Sequence, residues 1–362
     1  MSVELRKERK FSLLKRMKKK ILLWFRLTND PVLKVYNGYG NGVVLTIFGH
    51  VLGLSPLPRK RYSKGLIRNS FSLIRSFTVK PLPKAAVSLK WNGNMYETLS
   101  ESDGFFRFEW EPAEPLLPGR HAVQLFLKDD SGKVISEDTG EIYVPDHYKY
   151  AIISDIDDTF LVSHSSNLRK RLYVLLTKNA HSRRSFEGVV NHYQLLANAG
   201  IETGKSNPFF YVSSSEWNLY DMLREFLVQQ ELPAGIFLLS QIKRLYQVFN
   251  TGQGKHTAKF MRIARIVEAF PAQPLILLGD DSQEDPSIYL SLVKHFPGKV
   301  TAVYIRKTHK KNYESVKIIT DQIREQGVPC CYFLHSSEAV IHSREIGLIT
   351  PENFLNSEAE GH

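Results

Sequence analysis

The rhythm of hydrophobic and polar positions changes twice along this chain. Over residues 1–30, Leu14, Met17, Ile21 and Trp24 recur at helical spacing, surrounded by Lys15, Arg16, Lys18, Lys19, Lys20 and Arg26. That pattern predicts a basic amphipathic leader. A Trp-bearing face beside a Lys/Arg-rich one is the composition of a helix lying on a membrane interface; a plain solvated tail is the alternative. Residues 36–40 read as a turn, and the apolar, β-branched run over 43–54 as a buried strand. From 85 to 145 the period falls to two. Residues 85–91 run into Asn92-Gly93-Asn94, 104–108 alternate after a turn, and 121–127 alternate up to Asp130-Ser131-Gly132. Short strands at this spacing predict a small β-sandwich.

Beyond residue 149 the strand patterns become mostly apolar runs: 150–154, 209–212, 236–239, 275–278 and 300–305, with helical stretches between them. This alternation predicts an α/β fold with a parallel sheet. The stretch after Thr308 reads as a helix, a strand at 332–334, then a tail. The chain therefore divides into a leader (1–30), a mainly β domain (31–147) and an α/β domain (148–362) with an insertion over about 160–208. Its 362 residues agree with two or three domains.

Charge sharpens the division. Residues 1–84 hold 19 Lys/Arg and 3 Asp/Glu, a balance of +16, whereas the remainder is −5. Residues 55–84 alone hold eight basic residues and no acid, around a short helical pattern at 66–77. An anionic partner follows, either a membrane face or nucleic acid. The nucleic-acid reading rests on charge alone and is the weaker. The longest early apolar run, 21–25, falls short of the ~20 residues of a membrane span and the ~7–15 of a signal core. Cys330 and Cys331 are adjacent, which excludes a disulfide framework and a cysteine zinc site and fits a reducing compartment. The expected location is cytoplasmic, with peripheral contact on the inner face of the membrane. Gly38, Gly40 and Gly42 look like a phosphate loop, but no Gly-Lys-Ser/Thr follows them.

In parallel sheets, ligands sit outside the carboxyl ends of the strands. Asp155-Ile156-Asp157-Asp158-Thr159 follows the first apolar run. Ser213, Ser214 and Ser215 follow the second. Gly279, Asp280, Asp281 and then Asp285 follow the run at 275–278. Lys259 opens the helical stretch 260–270, with Lys255 one turn earlier. An acid-rich tip on a buried strand calls for a cation, and Mg²⁺ with substrate phosphate suits carboxylate donors.

These four clusters, in this order, resemble the motifs of haloacid-dehalogenase-superfamily phosphatases. The flanking residues 154–159, 211–220 and 279–286 with Tyr289 resemble, more narrowly, the actin-patch-associated phosphatidate phosphatases and their bacterial relatives. The likeness covers roughly 150–310, and 103–108 resemble the β-domain that precedes it. It implies a haloacid-dehalogenase-like Rossmannoid sheet, phosphatidate as substrate and diacylglycerol as product.

The chemistry follows from the residues. A phosphate monoester needs a nucleophile, charge neutralisation and a proton for the leaving group. Asp155 is the expected nucleophile and Asp157 the general acid and base. Mg²⁺ is expected on Asp155 and Asp280, with a backbone contribution from Asp157. Ser213 donates to the phosphoryl oxygens, and Lys259 or Lys255 neutralises them. Asp285 orients the metal's waters or holds Lys259, unless it only caps the helix begun by Pro286. Thr159 and Ser214 border the phosphate. Asp158 and Asp281 are candidate accessory acids. In the insertion, Arg169, Lys170, Arg171, Lys178, His181, Arg183 and Arg184 suit an anionic headgroup. The chain departs from the family at Ser214-Ser215-Glu216, at Leu239-Ser240-Gln241, at Ala258 and at Asp281, and none of these removes a core catalytic group. The rival readings are a phosphatase of a soluble phosphomonoester or phosphoprotein, and a membrane-associated scaffold with a lapsed site.

Overall fold

Two sheets of opposite character organise the protein. The computed structural model describes residues 31–54, 80–146, 148–156, 181–202, 205–240, 254–281 and 284–350, with backbone only at 54, 181–187, 254–256 and 310. The leader, the helical pattern at 66–77, Asp157, Asp158, Thr159 and the insertion up to residue 180 lie outside the described residues. The chain divides into two compact units. Among the described residues, one takes in those of 31–38, 46–110 and 121–142, and the other those of 39–45, 111–120 and 143–350.

The first sheet has nine strands: β1 (Val32–Val35), β2 (Gly38–Gly40), β3 (Leu45–Leu54), β4 (Lys80–Pro81), β5 (Ala86–Trp91), β6 (Asn94–Leu99), β7 (Phe105–Trp110), β8 (Gly119–Lys128) and β9 (Val134–Val144). Their hydrogen-bonded order is β1-β3-β2-β9-β8-β5-β6, with β4 and β7 also on β3. The period-two patterning is realised. In β7, Phe106, Phe108 and Trp110 are buried while Glu109 is exposed. The β5–β6 hairpin turns at Asn92 and Gly93, both at positive φ, the geometry that Asn-Gly favours. Residues 38–40, expected as part of a turn, form strand β2 with all three residues buried. Glycine placed there by turn chemistry serves close strand packing instead.

The second unit is mixed α/β. Its elements are β10 (Ala151–Ser154), α1 (His181–Ala197), β11 (Phe209–Glu216), α2 (Tyr220–Gln229), β12 (Gly235–Ser240), α3 (Gly254–Ala269), β13 (Leu275–Asp280), α4 (Asp285–His295), β14 (Val300–Arg306), α5 (Tyr313–Glu325), β15 (Cys330–Phe333) and α6 (Ser336–Glu345). The six strands are parallel, in the order β12-β11-β10-β13-β14-β15. All four residues of β10 and all six of β13 are buried, which explains the apolar runs 151–153 and 275–278; the polar Ser154 and Asp280 come only at the carboxyl ends. The chain leaves β10 towards β11 and β12, then returns to β13 on the other side. Strand order therefore reverses between β10 and β13, where a crevice opens at the carboxyl ends.

Two features departed from expectation. The last strand starts at Cys330 rather than 332, and Cys330 is buried. Where a tail was expected, α6 forms. Glu338 accepts from the backbone N–H of His335 at 2.8 Å, closing a capping box, and Ala339, Val340 and Ser343 are buried. Asn207 anchors the start of β10. Its Oδ1 accepts from the N–H of Lys149 and Tyr150, both at 3.0 Å, and its Nδ2 donates to the carbonyls of Leu196 and Ala199.

Candidate active site

Asp155 is the first residue beyond β10. Its backbone N–H still donates to Leu278 O at 2.8 Å, so the β10–β13 ladder fixes it beside Gly279 and Asp280. Its side chain is buried, with 1% of the residue exposed. Lys259, on α3, reaches across the crevice. Its Nζ donates to Asp155 Oδ1 at 2.6 Å and also to Asp285 Oδ1. Lys259 and Asp285 are equally buried. Asp285 is the first residue of α4, and the N-cap position before it is taken by Glu284, whose side chain makes no cap hydrogen bond. Of the expected roles for Asp285, the contact with Lys259 is the one seen.

Burial pulls the Lys259 ammonium towards neutrality, but Asp155 and Asp285 more than offset this and hold its pKa above the ordinary lysine value. Removing either carboxylate would expose that desolvation. Lys255 lies in the first turn of α3, with its side chain outside the described residues.

Asp280 ends β13, fully buried, opposite Arg306 at the end of β14. Gly279 before it is required by space. A Cβ there would lie 2.6 Å from Asp285 Oδ2 and 2.8 Å from Tyr289 Oη. Tyr289 in turn donates to Leu278 O at 2.8 Å, the same carbonyl that receives Asp155 N–H. Burial, then nearby Asp285 and Asp155, raise the Tyr289 phenol well above its usual pKa, so it stays a donor.

Ser213 lies buried at the carboxyl end of β11, where the β11–β12 register shifts, and Ser214 beside it is half-buried. Ser213 Oγ accepts from Ser215 N–H at 2.9 Å. Arg262, one turn after Lys259, donates to Ser213 O at 3.2 Å and to Ser240 Oγ at 3.1 Å. It ties α3 to the tips of β11 and β12. Sequence reasoning missed Arg262; its signal was the i, i+3 spacing from Lys259. Tyr193 on α1 was missed too. Its hydroxyl lies 2.9 Å from Ser154 Oγ, which donates to Asp155 O.

Asp281 has a different role from the accessory acid expected. Its Oδ1 accepts from Thr308 N–H at 2.7 Å, Thr308 Oγ1 at 2.6 Å and His309 N–H at 3.0 Å, and its Oδ2 accepts from Tyr332 Oη at 2.7 Å. A carboxylate so occupied is a latch for the loop after β14. Asp155 and Asp280 remain as hard oxygen donors at adjacent strand tips. No cluster of three or more metal-ligating side chains occurs among the described residues. Two carboxylates nevertheless suit Mg²⁺, which keeps several waters and takes substrate phosphate.

Residues 150–307 match a family model described as the catalytic domain of phosphatidate phosphatase APP1. The chain is 26% identical over 266 residues to phosphatidate phosphatase APP1 of Saccharomyces cerevisiae, covering 70% of this chain and 43% of that protein. It is 23% identical over 184 residues to an uncharacterized protein of Schizosaccharomyces pombe, covering 50% of this chain and 29% of that one. The chain thus spans less than half the length of these curated relatives. A carbohydrate acetylesterase from Xanthomonas citri aligns at a TM-score of 0.30 with 8% identity, covering 88% of this chain and 75% of that one. The match to the APP1 catalytic-domain model spans the strand tips that carry Asp155, Ser213 and Asp280, together with Lys259 and Asp285.

Proposed function

We propose that this chain is a Mg²⁺-dependent phosphatidate phosphatase with a haloacid-dehalogenase-like catalytic domain. The observation that carries the reading is the buried Lys259 held between Asp155 and Asp285, beside Asp280, at the point where strand order reverses. Asp155 and Asp280 would hold the metal, with a backbone contribution from Asp157. Bound there, Mg²⁺ supplies charge neutralisation at the phosphoryl oxygens.

A carboxylate oxygen of Asp155 attacks phosphorus, and the ester P–O bond breaks. The leaving alkoxide takes the proton of Asp157, two residues on. Water then attacks the aspartyl-phosphate while Asp157 takes its proton, releasing phosphate and restoring Asp155. Lys259 neutralises charge that develops on the equatorial oxygens, and Asp285 keeps its ammonium aimed there. Ser213 donates to the phosphoryl group, with Ser214, Thr159 and Lys255 at its border. Phosphatidate implies an anionic lipid partner, and the basic leader 1–30 suits peripheral contact with the cytoplasmic face of a membrane. No helix among the described residues is long and apolar enough to cross one.

The test is phosphate release from phosphatidate in mixed micelles, beside a soluble aryl phosphate, with and without Mg²⁺. Release from the lipid that disappears with EDTA and in Asp155→Asn is the expected result. Release from the aryl phosphate alone would keep the chemistry and replace the substrate with a soluble phosphomonoester. No release from either, by folded protein, would leave a scaffold with a lapsed site.

A further inference from the structure

We propose that residues 307–317, following β14, form a docking surface for an anionic lipid interface, held rigidly against the carboxylate edge. The proposal rests on the reading of Asp155 and Asp280 as the reacting edge. Arg306 pairs in register with Asp280, so Lys307 is the first residue beyond that edge. Its Nζ lies 4.8 Å from the ring centroid of Tyr332 and 5.4 Å from that of Tyr313, and these rings stack at 5.8 Å. Tyr313 is 40% exposed, Leu334 53% and Ile318 60%, and Lys311 and Lys317 are exposed as well. Within 307–317, Lys307, Lys310, Lys311 and Lys317 stand against the single acid Glu314.

Lysines and stacked tyrosine rings, with exposed aliphatic side chains on the elements that carry them, match a lipid interface. Its headgroups are anionic, and its first carbons receive the ring bodies and aliphatic tips. A nucleic acid would match the charge but not exposed Leu334 and Ile318. Position strengthens the argument. In a parallel sheet, the carboxyl ends of β10, β13, β14 and β15 face the same way, so this surface and Asp155 share an edge.

The surface is also fixed. Asp281 receives Thr308 and His309 on one oxygen and Tyr332 on the other, and Asn312 Nδ2 donates to Asp281 O at 2.5 Å. The residue after the proposed metal carboxylate therefore holds the loop. A protein docked through 307–317 would present the reacting edge to the headgroups. This contact is separate from any made by residues 1–30.

The experiment uses the full chain in EDTA, sedimented with phosphatidylcholine vesicles containing about one-fifth phosphatidate. Each lysine near such a surface contributes about fivefold in binding, so Lys311→Glu with Lys317→Glu should weaken binding at least about tenfold. Lys311→Arg with Lys317→Arg should bind as the parent does. Both variants should hydrolyse a soluble aryl phosphate at the parental rate, which also reports folding. If the Glu variant sediments like the parent, the docking surface is overturned. The same follows if it loses binding equally to vesicles of phosphatidylcholine alone. If no variant and no parent hydrolyses any ester while the sedimentation contrast stands, the phosphatase reading fails and the docking surface survives.

Discussion

Both units bury aspartates, and they use them in opposite ways. In the β unit Asp103 is 8% exposed, and its Oδ1 accepts from the N–H of Phe105, two residues away. In the α/β unit Asp155 is 1% exposed, and its Oδ1 meets the ammonium of Lys259, 104 residues away. The first contact closes a turn that one segment could make by itself. The second exists only after α3 has packed against the sheet. A buried polar group satisfied locally shapes the chain. Buried charges gathered from distant segments to one sheet edge carry a desolvation cost that turn-making does not explain. On the proposed phosphatase reading, that cost would have a use in catalysis.

The contrast is broken hardest at Lys259. Lys259→Met would leave Asp155 and Asp285 buried without their shared cation. Breaking a buried pair from one side costs about 3–5 kcal/mol. Denaturant unfolding at neutral pH should report a loss in that range, and phosphate release should fall by more than about a hundredfold. Parental stability in Lys259→Met would mean that water reaches the carboxylates, and that the site is less desolvated than its burial indicates.

Acid tests a feature the units share. His192 lies 2.9 Å from Ser343 Oγ, and burial, helped by His342, pushes its pKa down to about 3. In the β unit, burial and then Lys34 push His50 down to about 3 as well. A histidine pKa lowered by folding means that the unfolded chain binds the proton more tightly. The neutral ring's contribution is then complete above about 6.5 and is lost as pH falls towards 3. Each histidine should remove about 1.4 kcal/mol per pH unit below 6.5, or about 2 kcal/mol by pH 5. Thermal melts at pH 7 and pH 5 measure this, and His192→Gln should flatten the slope of the α/β unit. Melts that superimpose at the two pH values would show that neither ring is held neutral.

The same division between local and distant contacts explains what could be read from the sequence. The apolar runs that became β10, β11, β12, β13 and β14 were legible because burial on both faces leaves few polar positions before the carboxyl ends. Asp155 and Asp280 were legible at or just after the ends of apolar runs, Ser213 as the first polar residue after another, and Asp285 as the acid before Pro286. Lys259 and Lys255 were candidates one helical turn apart, and sequence spacing could not show that Lys259 meets Asp155. The Asp281 latch was not legible, because its partners Thr308, His309 and Tyr332 lie 27, 28 and 51 residues away with no periodic signal linking them. Nor was α6, whose helical face is narrow and whose cap begins at His335, a residue outside the usual capping set.

The smallest effect is expected where the polar contact is local. Asp103→Ala removes the acceptor for Phe105 N–H next to Gly104, which turns at φ +79°. One hydrogen bond of this kind is worth about 1 kcal/mol. Asp103→Asn keeps an amide oxygen at the same place and should recover most of it. Neither substitution should alter kcat on a soluble aryl phosphate, whereas Asp285→Asn should lower it strongly by loosening Lys259. Stability and turnover thus separate the two uses of aspartate: Asp103 moves only the first, Asp285 both. A fall in kcat for Asp103→Ala at unchanged stability would break the comparison, because a contact closed within two residues would then be reaching the chemistry.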